Sequence, residues 1–79
     1  MQILVMSDLA VTADKVMECV REHEPRWMDR IYAHGLDKLV DSHYEKYNKE
    51  YAVAKDKEHA LLELAAVALF ALCQMQHDK

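Results

Sequence analysis

The sequence predicts an all-α protein, a small bundle of about four helices with a short N-terminal arm, organised around a central C-terminal helix. Three observations lead there. Residues 60–75, ALLELAAVALFALCQM, are almost unbroken Ala, Leu and other helix formers, without Gly or Pro. Apolar residues recur at spacings of three and four through residues 9–23 and 36–51 instead of alternating. The chain's single Gly and single Pro fall between these segments, where they act as punctuation.

Residues 2–6, QILVM, are an apolar run too short for periodicity to assign. With no second strand candidate, they are expected to form an arm packed on helices. Ser7 and Asp8 have the character of an N-cap and a first-turn acid, and Leu9, Ala13, Val16, Cys19, Val20 and His23 follow on one face. This predicts a first helix over residues 7–23, with Thr12 as an alternative start. Pro25 is expected to end it, because the residue before a proline is pushed out of the α region, and to open a short second helix. That second helix carries Trp27, Met28 and Ile31 and stops at Gly35.

The third helix starts near Leu36 and places Leu36, Leu39, Val40, His43, Tyr44, Tyr47 and Tyr51 on one face, with Asp37, Asp41, Glu45 and Lys49 opposite. The pattern weakens after Ala54, and Asp56 is the expected N-cap of the last helix, with Glu58 in its first turn. That helix is apolar nearly all round, so one neighbour cannot cover it. Its thin polar stripe runs through His59, Glu63, Gln74 and His77, and Phe70 falls inside the stripe with Val67 beside it. An aromatic in a strip that otherwise looks wet is the pattern of a contact surface, so Val67, Phe70 and Gln74 are candidate partner-binding residues; the equal alternative is that the second helix or the N-terminal arm covers Phe70.

A single domain of 79 residues buries a small share of its surface, which makes a homo-oligomer or a tight protein partner the expectation. The balance of 10 Lys+Arg against 14 Asp+Glu, a net charge of -4 spread along the chain, argues against direct nucleic-acid binding. Two cysteines without tight spacing, Cys19 and Cys73, read as reduced, buried thiols. The start MQILVMSD lacks the basic and long apolar regions of a signal peptide. The longest apolar run, residues 64–73, falls well short of the roughly 20 residues that cross a bilayer, so a cytoplasmic chain without a membrane partner is expected.

Few residues suggest chemistry. Asp37, Asp41 and Glu45 stand four apart and repel one another by about 0.2–0.5 kcal/mol per pair, a ridge suited to a basic partner or a divalent cation. The bland alternative is a solvated face, eased by Lys46 and Lys49. His23, His34, His43, His59 and His77 form no HExxH motif and no Cys/His zinc spacing, so no metal site has local sequence support. His43, among Leu39, Tyr44 and Tyr47, is expected to be a buried neutral imidazole bonded to a tyrosine hydroxyl. Ser7 and Ser42 lie in no nucleophile motif, and Cys19 has only His23 one turn away, a spacing that helices produce by chance. One Gly cannot build a phosphate-cradling loop.

Residues 45–75, with HALLELAAVALFAL after an acidic helix, resemble the second half of the MazG-like all-α nucleoside triphosphate pyrophosphohydrolases, including the short phage-borne versions. That family holds Mg²⁺ with an EExxE motif on one helix and an ExxD motif on the next. Glu63 matches the first acid of the second motif, but Ala66 stands where its Asp belongs, and Glu45 is followed by Asn48 with no Glu pair before it. The resemblance therefore implies a shared helical scaffold with a lost activity.

The function expected from the sequence is that of a small acidic non-enzymatic interaction protein that binds and modulates another macromolecule, without a cofactor. Its style is that of phage-encoded inhibitors such as anti-CRISPR and other anti-defence proteins, and its partner is a basic or nucleic-acid-binding protein. Asp37, Asp41, Glu45, Val67, Phe70 and Gln74 are the candidate contact residues. The alternatives are a Mg²⁺-dependent nucleotide pyrophosphohydrolase using Glu45, Glu50 and Glu63, and a structural homodimer.

Overall fold

A computed structural model describes residues 6–53 and 56–77. Three helices account for nearly all of these: α1, Met6–His34; α2, Leu36–Val53; and α3, Lys57–His77. No strand occurs among the described residues. The all-α class and the bundle hold, but the described residues form three helices rather than about four. Residues 2–5 of the expected N-terminal arm lie outside the described residues, and Met6 already belongs to α1.

The lost boundary is at Pro25, which sits inside a continuous 29-residue helix. Proline lacks the N–H that would donate to the Arg21 carbonyl, a defect that costs about 3 kcal/mol in a helix interior. Packing offsets it. Cys19 and Trp27 are buried on one face of α1 on either side of the proline, and burying an indole recovers about 3 kcal/mol. Gly35 ends α1 as expected: its N–H donates to the Ile31 carbonyl at 2.8 Å, and its φ of 89° is the left-handed conformation that glycine adopts at a helix C-terminus. Asp56 caps α3 as expected, its carboxylate accepting the His59 N–H at 3.0 Å.

α3 is central, packed against both α1 and α2. The core gathers Cys19 and Trp27 from α1, Leu39 from α2, and Ala66, Val67 and Phe70 from α3. The Trp27 and Phe70 rings meet at 5.2 Å between centroids, within the range of favourable aromatic pairs. Val67 and Phe70 are therefore interior residues rather than contact residues, 0% and 4% exposed. The middle of the polar strip of α3, from Glu63 to Phe70, faces inward because Glu63 is matched by polar groups on α1 and α2, while His59 and His77 at its ends are exposed. The displaced apolar residues Leu61, Ala65, Leu69, Leu72 and Met75 are exposed instead. Cys73 is exposed too, against the expectation for both thiols, while Cys19 is buried. By length and composition alone α3 could cross a membrane.

Candidate functional site: a buried carboxylate among histidines

Glu63 enters the core from the second turn of α3 and is 5% exposed. Each of its oxygens is engaged by a different helix. Cys19 and His23, one turn apart on α1, reach Oε1: the thiol donates at 3.6 Å and His23 Nε2 at 3.0 Å. His43 of α2 donates from Nε2 to Oε2 at 3.2 Å. Arg26 donates to His23 Nδ1 across a long 3.5 Å contact. Because guanidinium can only donate, that contact makes Nδ1 an acceptor and leaves the ring hydrogen on Nε2, facing the carboxylate. His43 thus hydrogen-bonds to a carboxylate rather than to a tyrosine hydroxyl, while Tyr47 supplies a ring at 4.6 Å from its centroid.

The electrostatics follow from this enclosure. Burial alone would push the Glu63 carboxyl up, but the hydrogen bond and charge of His23, with those of His43, outweigh it and hold the group below the ordinary carboxylate range. Burial lowers His43 despite the neighbouring Glu63, and it raises the Tyr47 phenol. The Cys19 thiol is pushed up to about 11 by burial and then by the Glu63 charge. The centre is a buried carboxylate whose two oxygens accept from Cys19, His23 and His43, which is how a buried charge is made tolerable.

A second, more exposed pair extends the centre. His59 Nδ1 lies 2.9 Å from Glu50 Oε1, and its other nitrogen, Nε2, lies 3.7 Å from Glu63 Oε1. The Glu50 hydrogen bond raises His59 above the ordinary imidazole value. Beside the centre, between α1 and α2, a cleft of about 300 Å³ is lined by His23, His43, Trp27 and Tyr47, with Arg26, Arg30 and Lys46 contributing positive charge. Chemically, Cys19, His23 and Glu63 can hold a cation, their donor atoms lying within 4.8 Å of one another, and the neighbouring cleft favours an anion.

The carboxylates of the expected ridge go elsewhere. Asp37 and Asp41 border a groove of about 450 Å³ between α2 and α3, floored by Val40, Tyr44, Ala68, Ala71, Leu72 and Met75. Glu45 is exposed and paired with Lys49 at 3.4 Å. Gln74 is half-buried beside another groove, between α1 and α3, with Phe70 and Cys73. Of the three acids in the magnesium alternative, Glu50 and Glu63 meet only through His59, and Glu45 joins neither.

Comparison of the chain with protein-family models, curated proteins and solved structures gives no match. The centre around Glu63 was not assembled from the sequence, because its members come from three helices. Two local signals pointed to it: the Cys19/His23 one-turn pair, and a lone Glu in an otherwise apolar helix.

Proposed function

We propose that this chain is a non-enzymatic interaction module whose α2/α3 groove takes an amphipathic helix from a protein partner and so modulates that partner. The observation that carries this reading is an apolar groove with an acidic edge. Leu72 and Met75 are 58% and 49% exposed along it, and Asp37 and Asp41 border it. A helix laid in such a groove buries its apolar face and sets Lys or Arg against the acids, which gives orientation and salt dependence. Glu45 contributes less, since Lys49 already pairs with it. A basic, nucleic-acid-binding protein is the class of partner that offers such a helix, and an inhibitor of the phage anti-defence type is a role that fits it.

Two synthetic helical peptides with one leucine face, one flanked by Lys and one by Glu, test the groove by fluorescence anisotropy. The Lys peptide is expected to bind, to weaken as salt rises, and to lose at least about tenfold in affinity to the Asp37→Lys/Asp41→Lys chain, the weight of roughly 1.4 kcal/mol. Equal binding of both peptides, or unchanged binding to the double variant, would refute the electrostatic part. Light scattering adds a control: a dimer of the free chain that separates on Leu72→Glu would mean that a second copy occupies this face. Pyrophosphate release from nucleoside triphosphates with Mg²⁺ would overturn the non-enzymatic reading altogether.

A further inference from the structure

We propose that Cys19, His23 and Glu63 form a binding site for a zinc-class divalent metal ion, with His59 as the fourth ligand and Glu50 as the residue that orients His59. The donor set is one thiol sulfur, one imidazole nitrogen and one carboxylate oxygen, the ligands zinc takes, where magnesium and calcium prefer oxygen alone. All three donor atoms lie within 4.8 Å of one another, and the two separations from Glu63 are close to those of a coordination shell. Zinc bond lengths of roughly 2.3 Å to sulfur and 2.0–2.2 Å to nitrogen and oxygen give tetrahedral edges of about 3.6 Å for S···O and about 3.4 Å for N···O. The observed distances are 3.6 Å from Cys19 Sγ to Glu63 Oε1 and 3.0 Å from His23 Nε2 to the same oxygen.

Local structure explains why the donors converge. Cys19 and His23 share one face of α1 because residues four apart stack on a helix, and Glu63 is pinned opposite them by the His43 bond to Oε2. Oε1 is the oxygen that faces Cys19 and His23, and it would turn to the metal as their hydrogens leave it. His59 completes the set from α3. Its Nδ1 is fixed by Glu50 at 2.9 Å, so Nε2 is the nitrogen presented toward Glu63 at 3.7 Å. A carboxylate holding the far nitrogen of a ligating imidazole is the usual arrangement around protein-bound zinc. His59 stands outside the tight group of three, half-exposed at its edge, with Nε2 the nitrogen nearest Glu63.

Charge and proton balance are consistent with this. A divalent cation with one thiolate and one carboxylate is neutral, which suits a buried position better than either charge alone. On binding, the Cys19 thiol gives its proton to solvent, the His23 ring moves its hydrogen from Nε2 to Nδ1, and the long Arg26 contact to Nδ1 is given up. Glu63 exchanges the hydrogen bonds on Oε1 for a metal bond and keeps the one on Oε2.

The test is a Co²⁺ titration of the full chain after chelator treatment, followed by absorption and then by competition with Zn²⁺. One equivalent of Co²⁺ is expected to give a thiolate-to-cobalt charge-transfer band and the intense visible bands of four-coordinate cobalt, both removed by Zn²⁺. Cys19→Ser is expected to lose the charge-transfer band, and Cys73→Ser to keep it. Glu50→Gln is expected to keep the band with affinity lowered by about 10- to 100-fold. The wild-type chain decides the matter without relying on any variant's folding: no thiolate band overturns the site. A band that survives Cys19→Ser and disappears in Cys73→Ser also overturns it, and wild-type affinity in Glu50→Gln overturns the place of His59.

Discussion

Replacing Glu63 with Gln removes one charge and almost no volume, so its effect measures what the buried carboxylate does for the fold. In the native chain two imidazole donors, at 3.0 and 3.2 Å, share its two oxygens. A glutamine offers one oxygen and one amide nitrogen, so one of the donors now faces another donor. Hydrogen bonds to a charged group are worth about 1.5–3 kcal/mol, and a buried donor left unpaired costs about the same. We expect Glu63→Gln to destabilise by about 1.5–3 kcal/mol, a Tm drop of roughly 6–24 °C at about 4–8 °C per kcal/mol for a domain of this size.

Thermal melts followed by far-ultraviolet circular dichroism over a range of pH add a second readout. Glu63 is held below its ordinary value of 4.5, so the unfolded chain takes up this proton first. Its contribution is complete above 4.5 and is lost as pH falls through the lower folded value. His43 is lowered from 6.5, so the unfolded chain again protonates first, and stability declines as pH falls below 6.5. The variant should keep the decline that begins near 6.5 and lose the one below 4.5. A variant that melts within about 2 °C of wild type at neutral pH, or that repeats the wild-type acid profile, would refute this reasoning.

Pro25→Ala is expected to stabilise. It restores a donor to the Arg21 carbonyl, worth about 3 kcal/mol, and gives back roughly 0.4–1 kcal/mol of unfolded-state restriction, for a net gain of about 2 kcal/mol in urea unfolding. A loss of stability would mean that the proline ring itself packs. Trp27, the chain's one tryptophan, stacks on His23 at 4.9 Å and meets His43 edge-on at 5.3 Å. Because an imidazolium quenches indole emission and burial lowers His43 from 6.5, the fluorescence should fall only as pH drops below 6.5. A flat emission profile below 6.5 would mean that His43 does not take up its proton against the indole.

Local signals carried the fold most of the way. The face of α2, the stop at Gly35 and the cap at Asp56 each rest on residues within a few positions of one another, and each is where the spacing put it. Pro25 misled because its cost is local while the compensation is not. The helix continues because Trp27 reaches Phe70 across the bundle, and no window around residue 25 contains that fact. Glu63 misled in the same way. A lone acid on an apolar helix marks the wet side unless partners wait inside, and those partners sit 20 and 40 residues away. That single inversion turned α3 over, moving Val67 and Phe70 inward and Leu69 and Leu72 outward.

The three helices are unequal in reach. At about 1.5 Å per residue the 29 residues of α1 extend about 44 Å, the longest dimension of the molecule, whereas the 18 residues of α2 cover only about 27 Å. Residues 6–15 are all exposed. Unwinding them gives up little buried surface, so their amide hydrogens are expected to exchange ahead of those around the buried Cys19 and Trp27. One unbroken rod thus spans the full range of local stability, and the place where it changes is the turn just before the thiol.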